Sequence, residues 1–216
     1  MSIRPFNSDD ELVEFARLFF RDRVGSFRKD VAICLTADAN RSHAYFPALI
    51  TCIGFLDLLS GLYAGRVEGH SLSELKSYAA RFMDATKYDH LHLEVLYLAF
   101  RHKLAHLSFP YLVFDTATRR EFAGRKHRRI TWSVHASKRG SPIELVDFAT
   151  PKVFKRSVRP WPVSYNCRVH ISVRTFQIDI VKSISGPTGY LRCLQSELTA
   201  RENFAKCMKV LFPPET

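Results

Sequence analysis

Apolar and polar residues change their pattern near residue 110 of the 216-residue chain. Before that point apolar residues recur at three- and four-residue intervals, which is typical of amphipathic helices. Ser8 precedes a run of acidic residues at the start of the first such segment, and Ser71 and Glu74 have capping-box spacing before the third. Gly25 either bends or interrupts the first helix. The predicted helices cover residues 8–39, 44–63, 71–85 and 90–107.

After residue 110 the two-residue alternation of β-strands replaces this pattern. RRITWSVH and RVHISV alternate apolar and polar side chains, YLVFD is a third strand candidate, and ELVDF is a weaker one. Helical spacing returns at Phe176, breaks at Gly186 and Pro187, and resumes from Glu197 to Leu211. The pattern predicts a mainly α (α+β) fold. We expect a helical core over 1–110, a basic β-rich elaboration over 111–175, and C-terminal helices over 176–216 that pack back on the core.

The second predicted helix is apolar enough to raise the question of a membrane span. Residues 44–65 approach the length that a bilayer requires. However, the segment contains Pro47, a carboxylate at Asp57 and several small residues that let another helix pack closely. We therefore predict a buried core helix and no association with a membrane.

Positive charge is concentrated in the β-rich segment. The chain has 32 Lys and Arg against 21 Asp and Glu, a net charge of +11, and residues 119–159 hold twelve basic and three acidic residues, or nine of those eleven charges. Such a concentration predicts a surface for an anionic partner, above all RNA. The alternative is a solvated hairpin with its aromatic residues turned into the core. The predicted nucleic-acid-binding residues are Arg119, Arg120, Arg125, Lys126, Arg128, Arg129, Lys138 and Arg139.

The cysteine pattern and the first residues of the sequence indicate the cellular compartment of the protein. The five cysteines include no C-x-x-C pair, which is typical of reduced thiols in a reducing environment. Asp9 and Asp10 lie where a secretory signal would have its apolar segment. We expect a cytoplasmic protein.

The candidate chemistry lies at the end of the fourth predicted helix. There Arg101, His102 and His106 fall within six residues. A guanidinium makes forked contacts with phosphate oxygens, and an imidazole exchanges protons near neutral pH. On an ideal α-helix Arg101 and His106 are about 140° apart, whereas His102 and His106 share a face. The alternative is a purely structural role, in which the basic residues only stabilise the helix C-terminus.

These residues, Arg101-His-Lys-Leu-Ala-His106, resemble the R-x4-6-H motif of HEPN domains, in which Asn, Asp or His commonly follows the arginine. The resemblance covers about half of the chain. It implies a helical bundle in which Arg101 and His106, assisted by His102, form the catalytic group of a metal-independent ribonuclease. It also implies a homodimer whose two motifs face each other, and a protein antitoxin as a partner in a toxin–antitoxin or defence system. A non-catalytic HEPN-like module that binds nucleic acid, nucleotide or a partner is the alternative.

Two further groups bear on this site. Asp57 lies in the most apolar helix, where an ionised carboxylate needs a partner. A partner among the three motif residues would let it orient them, while a pair elsewhere or a solvent-facing position is an equal alternative. His90, His92 and Glu94 form an H-x-H-x-E run, but residues two apart diverge on a helix. We therefore predict neither a metal nor a cofactor.

Overall fold

The computed structural model describes residues 6–37, 43–69, 71–104, 113–114, 128–154 and 162–213. Within these residues the protein is mainly helical with one small sheet, which confirms the predicted α+β class. The helices are α1 (Asp9–Cys34), α2 (Tyr45–Ala64), α3 (Leu72–Phe82), α4 (His90–Val95), a π-helix (Leu96–Leu104), α5 (Val173–Ser185), α6 (Tyr190–Ser196) and α7 (Leu198–Leu211). The strands are β1 (Val113–Phe114), β2 (Arg128–His135), β3 (Ile143–Val153) and β4 (Ser164–Ser172).

The predicted caps begin the helices as the sequence indicates. The Ser8 side chain accepts a hydrogen bond from the backbone N–H of Glu11, and Ser71 and Glu74 form a complete capping box. These bonds satisfy N–H groups that have no partner inside their own helix. The seven-residue helix α6 was not predicted, because it is too short to establish a periodicity.

Helix α2 is the central element of the bundle. It is long and apolar enough to cross a membrane, with a mean hydropathy of 1.6 over its most apolar window, and it is the one such helix among the residues described here. In the structure it packs against α1, α3, α5, α7 and the π-helix. Buried side chains therefore occur around much of its circumference, as expected of a core helix.

The sheet has the strand order β1-β2-β4-β3. β2 runs parallel to β4, and β3 runs antiparallel to β4 with a register shift between Asp147 and Lys152. The inner face carries apolar residues from all three long strands, and these residues join the same hydrophobic cluster as the helices. Those that are buried are Ile130, Ile143, Cys167, Val169 and Ile171. The opposite, outer face carries the polar positions of the same strands.

The C-terminal helices complete the hydrophobic core. α5 and α7 pack on α2, and α6 packs on α1. The fully buried ring of Phe204 in α7 lies 5.9 Å from that of Phe20 and 6.0 Å from that of Phe19, measured between centroids. Residues of the first and last helices thus belong to one cluster.

Helix α1 passes through Gly25 without interruption, so the glycine neither breaks the helix nor ends it. Its position is exposed, and a Cβ atom added there would meet no atom within 4 Å. We expect Gly25→Ala to raise the free energy of unfolding by about 0.5–1 kcal/mol, because alanine loses less backbone entropy in a helix. Urea denaturation of the two proteins measures the difference. A lower midpoint for the variant would contradict this account of α1.

Candidate functional site

Arg101 is held by two residues on two helices. Its Nε donates a hydrogen bond to Asp57 Oδ2 in an ion pair, and its Nη1 donates to the Tyr97 hydroxyl at 3.1 Å. The guanidinium carbon also lies 4.7 Å from the centroid of the Tyr97 ring, which is a cation–π distance. The Arg101 side chain is 33% exposed and that of Asp57 is 14% exposed. The guanidinium is therefore oriented by its neighbours and still accessible to solvent.

The helix that carries Arg101 is not the ideal α-helix that the sequence predicts. After α4 the chain winds as a π-helix, in which hydrogen bonds join residues five apart rather than four. The angle of about 140° between Arg101 and His106 assumed α-helical winding, which does not hold for Leu96–Leu104, the segment in which Arg101 lies. Wider turns of this kind are rare and occur frequently at functional sites.

Asp57 reaches the site from the middle of α2. Among the alternatives for its partner, the structure shows Arg101. Its second oxygen, Oδ1, is buried and has no hydrogen-bond partner among the residues described. A buried carboxylate oxygen without a partner is costly, so this atom is suited to accept a hydrogen bond from a donor that enters the site.

The structure describes part of the remaining motif. The backbone of His102 belongs to the π-helix, whereas its side chain and the whole of His106 lie outside the described residues. The catalytic role of Arg101, His102 and His106 as a group thus stays a prediction.

The predicted nucleic-acid-binding residues are described in part. Arg119, Arg120, Arg125 and Lys126 lie outside the described residues, and Arg128 is described by its backbone alone, in β2. Arg129, Lys138 and Arg139 are all exposed. Arg129 lies near the start of β2, whereas Lys138 and Arg139 lie in the connection that follows its end, so the cations are at opposite ends of that strand.

Sequence reasoning missed a group on the outer face of the sheet. His135 and His170 lie on the neighbouring strands β2 and β4, with Arg168 two residues before the second histidine. The alternation of polar and apolar residues in RRITWSVH and RVHISV already marked these side chains as sharing the face opposite the core. The parallel pairing that brings them together had no sequence signal.

Metal ligation and thiol chemistry find no support in the described part of the chain. No group of three or more His, Cys, Asp and Glu residues there could hold a metal ion. In the H-x-H-x-E run, His92 Nδ1 pairs with Asp89 at 2.9 Å. All five cysteines are free, and burial raises the pKa of Cys193 and Cys207 to about 11, so these two thiols are protonated at neutral pH.

No protein-family model, curated protein or solved structure matches this chain. The proposed function therefore rests on the residues, their geometry and the motif that they resemble.

Proposed function

We propose that this is a cytoplasmic, HEPN-like RNA-binding protein that cleaves RNA without a metal ion at Arg101. The observation that carries the proposal is the fixed and accessible guanidinium of Arg101. Asp57 and Tyr97 engage Nε and Nη1, and Nη2 has no partner among the described residues. A cation with a fixed orientation and a free donor is suited to a phosphate oxygen.

The chemistry needs an oriented cation and a group that moves protons. In metal-independent cleavage, the ribose 2′-oxygen attacks phosphorus and the bond from phosphorus to the 5′-oxygen breaks. An imidazole accepts the 2′-hydroxyl proton, and the 5′-oxygen gains a proton as it leaves. The Arg101 guanidinium stabilises the negative charge that builds on the phosphate oxygens. From the motif that these residues resemble, we propose that His106, assisted by His102, carries out the proton transfers.

Asp57 is proposed as a positioning residue. Its carboxylate fixes the side chain of Arg101 through Nε and leaves Nη2 without a partner among the described residues. Holding the arginine in advance lowers the cost of ordering a long side chain when substrate binds. From the same resemblance to HEPN domains, we propose a second copy of the chain and a protein antitoxin as partners.

A second candidate function is a non-catalytic RNA-binding module. The ion pair with Asp57 supports it, because a carboxylate beside Arg101 offsets part of the charge that a phosphate would meet. In that case the exposed cations Arg129, Lys138 and Arg139 bind RNA, and the ion pair of Arg101 with Asp57 only stabilises the fold.

Cleavage of total cellular RNA in excess chelator distinguishes the two candidates. The wild type is expected to yield fragments with 2′,3′-cyclic phosphate ends, and Arg101→Ala and His106→Ala are expected to yield none. Arg17→Ala, which removes an exposed arginine of α1, is the matched control and should cleave like the wild type. Circular dichroism confirms equal folding of all four proteins.

Two other results would contradict catalysis at Arg101. Equal cleavage by wild type and both motif variants would assign the activity to another group or to a contaminant. Salt-sensitive RNA binding without cleavage by any protein would establish the binding module instead, because phosphate contacts weaken as salt rises.

A further inference from the structure

The outer face of the sheet brings two histidines and two arginines together. In the parallel pairing of β2 with β4, Ser133 is opposite His170 and His135 is opposite Ser172. Side chains two residues apart on a strand share a face, so His135 and His170 are diagonal neighbours on the outer face. Arg168 lies on the same face, two residues before His170 in β4.

Within the described part of the chain, one ring nitrogen of each histidine has no partner. His135 Nε2 and His170 Nδ1 are buried and form no hydrogen bond with the residues described here. The other nitrogen of His135, Nδ1, lies 2.7 Å from the Ser137 hydroxyl, which fixes the orientation of that ring. Buried polar atoms are normally paired, so these two nitrogens are suited to form hydrogen bonds with a ligand that binds on this face.

The charged groups around the histidines are mostly cations. The positive charge of Arg139, in the connection from β2 to β3, interacts electrostatically with both rings. The charge of Arg168 interacts in the same way with the ring of His170. The Nε of Arg168 is also buried and has no hydrogen-bond partner among the described residues, and the guanidinium carbon lies 4.6 Å from the centroid of the Phe154 ring. Among the described residues, Glu144 of β3 is the one acidic group that acts on either histidine, namely His170, and its Oε2 lies 4.0 Å from Arg139 Nη1.

Both histidines are neutral at pH 7. Burial is the main cause that lowers the pKa of each below its ordinary 6.5, and the positive charge of Arg139 lowers both further. The two rings also repel each other when charged, which lowers the pKa of His135, whereas Glu144 raises that of His170. An anion placed between the rings and the arginines would reverse this balance and favour the protonated forms.

The charges and hydrogen-bond donors of these groups indicate which class of ligand they can bind. Two arginines repel a metal cation, and two histidines without a third ligand are too few to hold one. An anion with several acceptor oxygens would satisfy the unpaired donors of Arg168 and of the protonated rings at the same time. Phosphate is such an anion, and the exposed Lys138 and Arg139 at the edge of the face continue the cationic surface along which a nucleic-acid backbone can run.

We propose that His135, His170, Arg139 and Arg168 bind a backbone phosphate of single-stranded RNA, and that the two histidines take up protons as the phosphate binds. This inference rests on the proposed function only in naming RNA as the ligand, since the site does not include Arg101. Affinity for RNA should therefore rise as the pH falls from 7.5 toward 5.5, the range in which histidine titrates.

The test is binding of a fluorescent single-stranded RNA oligonucleotide in chelator, at pH 7.5 and 5.5 and constant ionic strength. Wild type is expected to bind about tenfold more tightly at pH 5.5, which corresponds to a binding-induced rise of one unit in a histidine pKa. The double variant His135→Gln, His170→Gln should lose that gain, while His90→Gln, which changes an exposed histidine, should keep it. Equal pH dependence in the wild type and the double variant would overturn the proposal.

A second measurement does not depend on how the variants fold. The histidine ring protons of the wild type are followed by NMR as pH is varied, first alone, then with inorganic phosphate and then with the oligonucleotide. A rise in the pKa of His135 and His170 with RNA supports the proposal, and no rise with either probe overturns it. A rise with inorganic phosphate alone would overturn RNA as the ligand and assign the site to a small phosphate.

The failure of this proposal is distinguishable from that of the proposed function. If Arg101→Ala abolishes cleavage and the double histidine variant binds like the wild type at both pH values, the proposed function stands and this site is wrong. If no protein cleaves RNA but pH-dependent binding disappears in the double variant alone, catalysis at Arg101 is wrong and this site stands.

Discussion

Arg101→Lys is expected to lower the rate of RNA cleavage by about 100- to 1,000-fold, although lysine keeps the positive charge. That is the usual loss when one preorganised donor to the developing charge is removed. Arginine reaches Asp57 through Nε and Tyr97 through Nη1 and still has a donor to offer. An ammonium group is a single point charge, so the Asp57 carboxylate would capture it and a phosphate would compete for the same atom. Single-turnover cleavage of a defined oligonucleotide measures the loss.

The matched control for this change is Arg17→Lys. Arg17 is an exposed residue of α1 whose ion pair with Glu14 is 3.2 Å long, so the substitution should leave cleavage unchanged. If Arg101→Lys retained cleavage within a factor of a few, charge alone would suffice, and the fixed geometry of the guanidinium would have no catalytic role.

Phe204→Ala is expected to lower the free energy of unfolding by about 3–5 kcal/mol, the usual cost of truncating a fully buried phenylalanine. The ring is 0% exposed and lies within 6.5 Å of Phe15, Phe19 and Phe20, measured between centroids. The substitution therefore opens a cavity among three rings of α1 that cannot collapse easily. Urea denaturation followed by far-ultraviolet circular dichroism measures the change.

Phe212→Ala is the control for burial. Phe212 lies 6.3 Å from Phe15 and 6.5 Å from Phe19 between ring centroids, but it is 58% exposed. Most of its surface is in water in the folded protein, so its removal should cost less than about 1 kcal/mol. A similar cost for the two substitutions would contradict the placement of α7 in the core. A separate early transition in Phe204→Ala would show that the C-terminal helices unfold on their own.

Local signals in the sequence predicted most elements of the fold. The caps at Ser8 and Ser71 and the alternation in RRITWSVH mark features that residues near in sequence determine by themselves. ELVDF was only a weak strand candidate, yet it lies within the longest strand, β3, because pairing with β4 extends it beyond its apolar residues. Strand order and the parallel pairing of β2 with β4 depend on residues distant in sequence, so no local pattern contains them.

The candidate site was predicted to a similar extent. Arg101 and Asp57 stood out in the sequence because each is a charged residue in an apolar helix, and a buried charge is costly unless it is paired. Their mutual contact followed from packing between α2 and the π-helix, which the sequence alone left open. The group at His135 and His170 was missed because each histidine looks ordinary in its own strand, and only the register places them side by side.

The packing of the last helices on α2 also has a consequence for synthesis. α2 ends at residue 64 and α7 ends at residue 211, so the ribosome must add 147 residues before the cover of α2 is complete. At the usual 5–20 residues per second this takes roughly 7 to 30 s. During that interval the most apolar of the described helices lacks part of its cover, and apolar surface exposed in this way favours aggregation of the nascent protein.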